Sequence, residues 1–270
     1  MNKDKYLIAI DLDGTLLTDD KKITPKTRNY LNALHDEGHL IVIATGRPFR
    51  AAYGFQQQLG VNGPLVTYNG SLTSNPHDAS FLTRTRKFDR FALKDMVDAI
   101  GFDALDNLMI ETEHVIYLLH EDEALNNFFW NDRERIIYGN PFLHLNEDPL
   151  ALIFLFKNTD PEYKKEVSRI VESFPDLHIR FWNLEGYAEL WIGESTKKDG
   201  LEHIANFYNF PQKRIIAFGD ASNDKEMLAW ANYGVWMKNG VPSVEAYANM
   251  KTTEDNNNDG IVSTLQKIIK

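Results

Sequence analysis

The 270-residue chain contains no cysteine. That excludes disulfides, thiolate catalysis and cysteine-based zinc sites, and it fits a reducing cytoplasm, the expected location. Positive charge is also short: the formal net charge of −10 argues against a general nucleic-acid surface, which demands an excess of Lys and Arg. Small anionic substrates stay open, because one bound cation or lysine reverses the sign of a pocket. No apolar run is long enough to span a membrane, and Met1-Asn2-Lys3-Asp4-Lys5 leads into one too short for a signal peptide. Repeats and long low-complexity tracts are absent; Asp255-Asn256-Asn257-Asn258-Asp259-Gly260 reads as a loop. The eight histidines show no metal-ligand spacing, so His114 and His120 read as surface or packing residues. An EF-hand over Asp11–Lys22 fails, since its glycine falls too early and no Glu closes it.

What the chain does have is an apolar strand that stops at two carboxylates, in Leu7-Ile8-Ala9-Ile10-Asp11-Leu12-Asp13-Gly14-Thr15-Leu16-Leu17. An apolar run bounded by turn residues fits a strand buried on both faces of a parallel sheet, where chemistry collects beyond the carboxyl ends. Asp11 and Asp13 would repel each other there unless a cation neutralises them or one holds a proton. A surface turn rich in Asp and Gly is the plain alternative for this stretch taken alone.

The order of elements supports the buried reading. Thr24-Pro25 opens a helix that Gly38 ends, and the run Leu40–Ala44 stops at Thr45-Gly46-Arg47-Pro48. A helix to about Leu59 and a strand near Pro64–Tyr68 follow, then Asn69-Gly70 as a tight turn. From about Thr85 the pattern becomes α+β: helix 88–100, paired strands 108–112 and 115–119, an aromatic-rich helix 121–137, then strand 150–156, helix 161–173 and strands 177–182 and 188–192. Strand–helix alternation returns with a helix over Leu201–Tyr208, the strand Arg214–Phe218, the acidic run Gly219-Asp220-Ala221-Ser222-Asn223-Asp224, a strand 233–237 and helices 241–249 and 261–269. The expected fold is α/β, a Rossmann-like parallel-sheet core in two parts, 1–83 and 191–270, with an α+β domain, 84–190, inserted between them.

Three strand ends carry polar residues: Asp11/Asp13, Thr45 and Asp220/Asn223/Asp224, with Lys197 or Lys198 opening a helix between the last two. Oxygen ligands without Cys or paired His suit a hard cation such as Mg²⁺. Carboxylate, hydroxyl, ammonium and metal together are what phosphoryl transfer requires.

Four motifs in order, Asp11-Leu12-Asp13-Gly14-Thr15, Ala44-Thr45-Gly46-Arg47-Pro48, the lysine before Gly200-Leu201, and Gly219-Asp220-Ala221-Ser222-Asn223-Asp224, give the chain its family likeness. Over nearly its whole length it resembles the haloacid-dehalogenase-like (HAD) superfamily, in its Cof-type sugar-phosphatase branch. The resemblance implies that Asp11 attacks phosphorus, that Asp13 protonates the leaving alcohol and then activates water, and that Thr45 and the lysine hold the phosphoryl oxygens. It implies Mg²⁺ on Asp11, the Asp13 carbonyl and Asp220, a phosphate contact from Asn223, substrate binding at Gly46 and Arg47, and Asp224 orienting the lysine or a metal-bound water. The family sets Lys directly before Gly; counting back from Leu201 favours Lys197, and adjacency favours Lys198. Lys197 is taken as the active lysine. A second acid at Asp13 sets the chain apart from dehalogenating relatives, and the insertion resembles a type-two cap that closes over substrate.

Some residues carry ordinary readings as well. Arg47 reaches the insertion or substrate or is equally a surface arginine, Asp19-Asp20-Lys21-Lys22 is a solvated hairpin tip, Phe128-Phe129-Trp130 is packing of the insertion against its own sheet, and Phe181-Trp182 and Trp191 are core or a stacking surface for a sugar ring. The expected activity is Mg²⁺-dependent hydrolysis of small phosphorylated metabolites, sugar phosphates first, without nucleic-acid, membrane or obligate protein partners. A phosphomutase or phosphotransferase is the second reading. A phosphoacceptor or metal-binding regulatory protein is the third, disfavoured because receiver domains are much shorter and carry no inserted domain.

Overall fold

The computed structural model describes residues 5–125, 136–182, 184–193 and 195–269. Along the chain the strands and helices run β1 (Leu7–Ile10), α1 (Pro25–Asp36), β2 (Leu40–Ala44), α2 (Phe49–Leu59), β3 (Leu65–Thr67), β4 (Leu72–Ser74) and β5 (Arg84–Thr85). Then come α3 (Arg90–Ile100), β6 (Leu105–Glu111), β7 (Ile116–Leu118), β8 (Ile136–Tyr138), β9 (Ala151–Phe156), α4 (Pro161–Glu172), β10 (Leu177–Phe181) and β11 (Tyr187–Ile192). The chain closes with α5 (Lys197–Phe207), β12 (Ile215–Gly219), α6 (Lys225–Trp230), β13 (Tyr233–Trp236), β14 (Met250–Lys251) and α7 (Gly260–Ile268).

These form two units, Met1–Thr85 with Thr196–Lys270, and Arg86–Ser195. The first holds a sheet of order β14-β13-β12-β1-β2-β3-β4-β5, parallel from β14 to β3 and antiparallel through β4 and β5. Strand residues alternate between two cores. Ile8, Ile10, Ile41, Ile43 and Phe218 pack with Leu31, Phe55, Leu59 and Leu265 of α1, α2 and α7. Leu7, Ala9, Val42, Ala44 and Ala217 pack on the other face with Leu201, Ile204, Met227 and Leu228 of α5 and α6. Burial on both faces is why these strands read as unbroken apolar runs. Each fully buried Leu, Ile or Phe contributes about 1.5–3 kcal/mol, a reserve that can hold acidic residues together at the strand ends. β1 lies between β2 and β12, so the chain segments that follow these three strands emerge side by side.

In the second unit the order is β10-β11-β9-β6-β7-β8, antiparallel except for β7 against β8. Leu93, Met96 and Val97 of α3 and Val167 and Val171 of α4 cover one face through Leu108, Ile110, Phe154 and Phe156. β11 runs through residue 190, where the sequence sets the return to the core, and it pairs with β9 and β10 in this sheet.

Side-chain caps open helices, at Thr24 where the sequence signals it and at Asp89 where the structure adds it. The Thr24 side chain accepts from the Thr27 N–H, and Asp89 from the N–H groups of Phe91 and Ala92. Departures are local. Asn69-Gly70 makes its tight turn as a short 3₁₀ segment that joins β3 and β4 in a hairpin, and the helix expected over 241–249 is the shorter 3₁₀ helix Pro242–Tyr247. Ile136 and Ile137 belong to a strand, not to the end of a helix. The rest of that stretch, including Phe128-Phe129-Trp130, lies outside the described residues. Among the described residues no helix is long and apolar enough to cross a membrane.

Candidate active site

Asp11 follows β1 directly, and its N–H donates to the Phe218 carbonyl at 3.1 Å, fixing it beside the end of β12. Lys197 is the first residue of α5. Thr196 caps that helix in a reciprocal box: its Oγ1 accepts the Asp199 N–H, and its own N–H donates to Asp199 Oδ2 at 2.9 Å. A cation at a helix N-terminus opposes the helix dipole. Here two carboxylates offset that: Nζ lies 2.6 Å from Asp11 Oδ1 and 2.6 Å from Asp224 Oδ1, with the lysine fully buried. Lys198 points elsewhere, to Glu202 at 2.6 Å.

Asp224 has its other oxygen occupied too, since Oδ2 accepts the N–H groups of Asp220 and Ala221 at 2.9 Å each. It braces the loop that presents Asp220. Asp220 in turn accepts at Oδ1 from Thr15 Oγ1 at 3.0 Å, which ties the fourth motif to the first. Ligand atoms of Asp11, Asp220 and Asp224 all lie within 4.8 Å of one another.

The electrostatics describe a site short of positive charge. Burial pushes the Asp11 carboxyl well above its usual value; Lys197 works against this, and Asp224 and Asp220 add to it. Burial and then Asp224 push Asp220 up to about 7, although the Thr15 hydroxyl works the other way. Burial alone would lower Lys197, but Asp11 and Asp224 outweigh it and hold the ammonium protonated. Ionising all three carboxylates against one ammonium would leave two negative charges unbalanced, and the donors are oxygen only. That is the donor set and the charge deficit that a hard divalent cation satisfies, so the residues present fit Mg²⁺.

The side chain of Asp13 is directed to a different set of partners. It meets Arg47 through Nε at 2.6 Å and Nη2 at 2.7 Å, and Lys21 Nζ at 2.7 Å. Burial raises its carboxyl, but the Arg47 and Lys21 bonds outweigh that and hold it below the ordinary carboxylate value. Arg47 is buried, not a surface arginine, whereas residues 19–22 form the exposed turn expected of them, from which the Lys21 ammonium reaches back to Asp13.

Thr45 follows β2 and is 1 % exposed; its Oγ1 accepts the Arg47 N–H at 3.1 Å. Gly46 lies so close to Asn69 that a Cβ would sit 3.1 Å from its Oδ1. The Asn69 N–H donates to the Thr45 carbonyl at 3.1 Å, and its Oδ1 accepts from Asn223 Nδ2 at 2.9 Å. Asn69 therefore joins the second motif to the fourth. The sequence marked it only as a turn residue, and Thr15 and Lys21 carried no role either. Their signal was position: a hydroxyl beside the acidic turn, and polar residues just beyond a strand end.

In the inserted unit Phe181 packs in the main core, while Trp182 stacks on Tyr187 with centroids 5.8 Å apart and Trp191 on His178 at 5.2 Å. His114 and His120 are exposed.

Comparison with known proteins assigns this fold and its strand-end acid cluster to a hydrolase class. Residues 8–265 match the haloacid dehalogenase-like hydrolase family. The chain is 34% identical over 99% of its length, and 98% of the relative's, to the 5-amino-6-(5-phospho-D-ribitylamino)uracil phosphatase YitU of Bacillus subtilis. It is 27% identical to the HMP-PP phosphatase of Yersinia enterocolitica, covering 88% of this chain and 86% of that one. Among solved structures, TM0651 from Thermotoga maritima superposes with a TM-score of 0.80 at 23% identity, covering 98% of both chains. The HAD subclass IIB sugar phosphatase BT4131 gives 0.80 at 23%, covering 98% of this chain and 99% of that one. The chain belongs to the haloacid dehalogenase-like hydrolases, in their Cof-type phosphatase branch. It is a phosphatase with the parallel-sheet core and inserted α+β domain of that branch.

Proposed function

We propose that this phosphatase hydrolyses phosphate monoesters of small metabolites through a covalent phosphoryl group on Asp11. The observation that carries the reading is the fully buried Lys197 ammonium, 2.6 Å from both Asp11 and Asp224. It holds the Asp11 carboxylate in one orientation and places positive charge where the oxygens of a phosphoryl group would gather.

An Asp11 oxygen attacks phosphorus, the bond from phosphorus to the ester oxygen breaks, and the leaving alkoxide takes a proton from Asp13. Asp13, now ionised, takes a proton from water; the water oxygen bonds to phosphorus and the bond to Asp11 breaks, releasing phosphate. Arg47 and Lys21 keep Asp13 ionised at rest, the form needed for the second step. The negative charge of an arriving phosphate monoester favours the protonated form needed for the first. Thr45 donates to the phosphoryl oxygens, and Asn223 and the Gly46-Arg47 turn line the same side. Mg²⁺ held by Asp11, the Asp13 carbonyl and Asp220 would supply neutralisation of the phosphoryl charge.

The name of the Bacillus relative makes a ribityl phosphate attached to a pyrimidine the first substrate to try, ahead of simple sugar phosphates. The test is phosphate release from p-nitrophenyl phosphate in Mg²⁺ by the wild type and by Asp11→Asn. Loss of at least about a thousandfold in kcat is expected. Equal turnover by the variant would end the proposal. Phosphate recovered on an added sugar instead of water would make the protein a phosphotransferase.

A further inference from the structure

The polar loop Asp255–Asp259 grips the turn that follows the first acidic motif. Asn256 is 5 % exposed, and its amide nitrogen donates to the Leu17 carbonyl at 2.9 Å and to Asp19 Oδ1 at 3.0 Å. Asn257 closes a reciprocal pair with Asp19: its amide nitrogen donates to Oδ2 at 3.0 Å, and its Oδ1 accepts the Asp19 N–H at 3.0 Å. Asn239 donates to the Gly14 carbonyl at 2.7 Å and accepts the Asn256 N–H at 3.1 Å. Just beyond the turn, Asp259 accepts from the hydroxyls of Thr24 and Thr27. Side-chain amides from the far end of the chain therefore hold residues 14–19 at three places.

What that turn carries is Lys21. It sits at φ +59°, a conformation that residues with a Cβ seldom adopt, closed by the Lys21 N–H to the Thr18 carbonyl at 2.8 Å. Its ammonium reaches Asp13 Oδ1 at 2.7 Å while the side chain is 51% exposed. A free, exposed lysine gains little from such a pair, because ordering its long stem offsets the attraction. A lysine on a turn already fixed from behind gives up less freedom to form it.

We propose that Asn256 and Asn257 are positioning residues: by fixing Leu17 and Asp19 they set the Lys21 ammonium against Asp13 and so aim the carboxyl of the acid–base step. The catalytic part of this rests on the role given to Asp13 above; the mechanical part does not. The loop makes no hydrogen bond to Asp11, Asp13 or Lys197 among the described residues, but Leu17 also bridges the Asp13 backbone, and the double variant separates that route from the one through Lys21.

The experiment compares wild type, Asn256→Ala, Asp19→Asn, Lys21→Met and the double variant Asn256→Ala/Lys21→Met in p-nitrophenyl phosphate hydrolysis with Mg²⁺. Tryptic cleavage after Lys21 or Lys22 under native conditions is followed in parallel by mass spectrometry. A kcat loss of about tenfold with KM nearly unchanged is expected for each single variant, since small displacements of a catalytic group cost rate and not binding. The double variant should be no slower than Lys21→Met alone, and trypsin should cut the turn several-fold faster in Asn256→Ala and Asp19→Asn. An Asn256→Ala loss as large without Lys21 as with it would overturn the proposal, as would unchanged cleavage. Should Asn256→Ala not fold, Asp19→Asn on the protein surface carries both readouts. A wild type that hydrolyses no ester would fail the functional reading, and the trypsin comparison would still decide whether the loop holds Lys21.

Discussion

Arg47 holds Asp13 with two nitrogens, Nε on Oδ2 at 2.6 Å and Nη2 on Oδ1 at 2.7 Å, from a side chain that is 4% exposed. Two parallel bonds from a planar fork, with the Lys21 ammonium as a third, set the direction and the ionisation of the carboxyl. The residue proposed for proton transfer is thus oriented by the second motif.

Arg47→Lys keeps a charge near Asp13 and loses the fork. We expect kcat to fall about tenfold, with the fold intact by circular dichroism. Asp13 must be ionised to activate water, so activity fails as pH drops through its pKa. Arg47 now holds that pKa down. The acid limb of the kcat profile should therefore move to higher pH in the variant, and a limb that stays in place would refute the link.

Lys197→Met removes the one ammonium between Asp11 and Asp224. Taking one partner from a buried ion pair costs about 3–5 kcal/mol, because the charge left behind stays out of water. Denaturant unfolding of the metal-free variant should show a loss of that size, together with loss of turnover. Adding Asp11→Asn to Lys197→Met should restore part of the stability, since it removes one of the facing charges.

The metal-free protein should lose stability as pH rises. Asp220 has its pKa raised from 3.8 to about 7, so between those values the folded state binds more protons than the unfolded one. Stability then falls with rising pH across that window. A melting temperature followed after chelation should decline through it, and millimolar Mg²⁺ should flatten the slope. Chelation should also abolish phosphate release, and Mg²⁺ should restore it.

Gly14→Ala tests the join between the first and fourth motifs. Gly14 has φ +74°, and a Cβ there would lie 2.5 Å from Asp220 Oδ2. The backbone cost is about 1 kcal/mol or more, and Asp220 must also move. We expect Mg²⁺ activation to shift to about tenfold higher concentration, a change larger than the fall in melting temperature would suggest.

Much of the core was legible because its signals are local. β1, β2 and β12 are apolar runs that stop at Asp11, Thr45 and Asp220, and burial of both faces leaves little room for other residue types. Thr24 marks a helix start by a hydrogen bond spanning three residues, and Pro25 by its fixed backbone angle. Over 241–249 the sequence signals a short helix, and apolar spacing over so short a stretch does not separate the 3₁₀ form found at Pro242–Tyr247 from an α-helix.

Partner choice was not legible in the same way. Lys21 and Arg47 meet at Asp13, and Asn256 and Asn257 reach Asp19, across sequence separations that no periodicity encodes. The same holds for Lys197 against Lys198, adjacent residues of like charge, one buried between two acids and the other paired with Glu202.

The sequence by itself determined the strands, where each one ends and which oxygen-bearing side chains stand at those ends, because burial and capping act between near neighbours. Tertiary structure alone decided which charge faces which. Placing β1 between β2 and β12 brings Asp11 and Asp220 together from opposite ends of the chain, and in a buried site each carboxylate takes its character from the cation it is packed against.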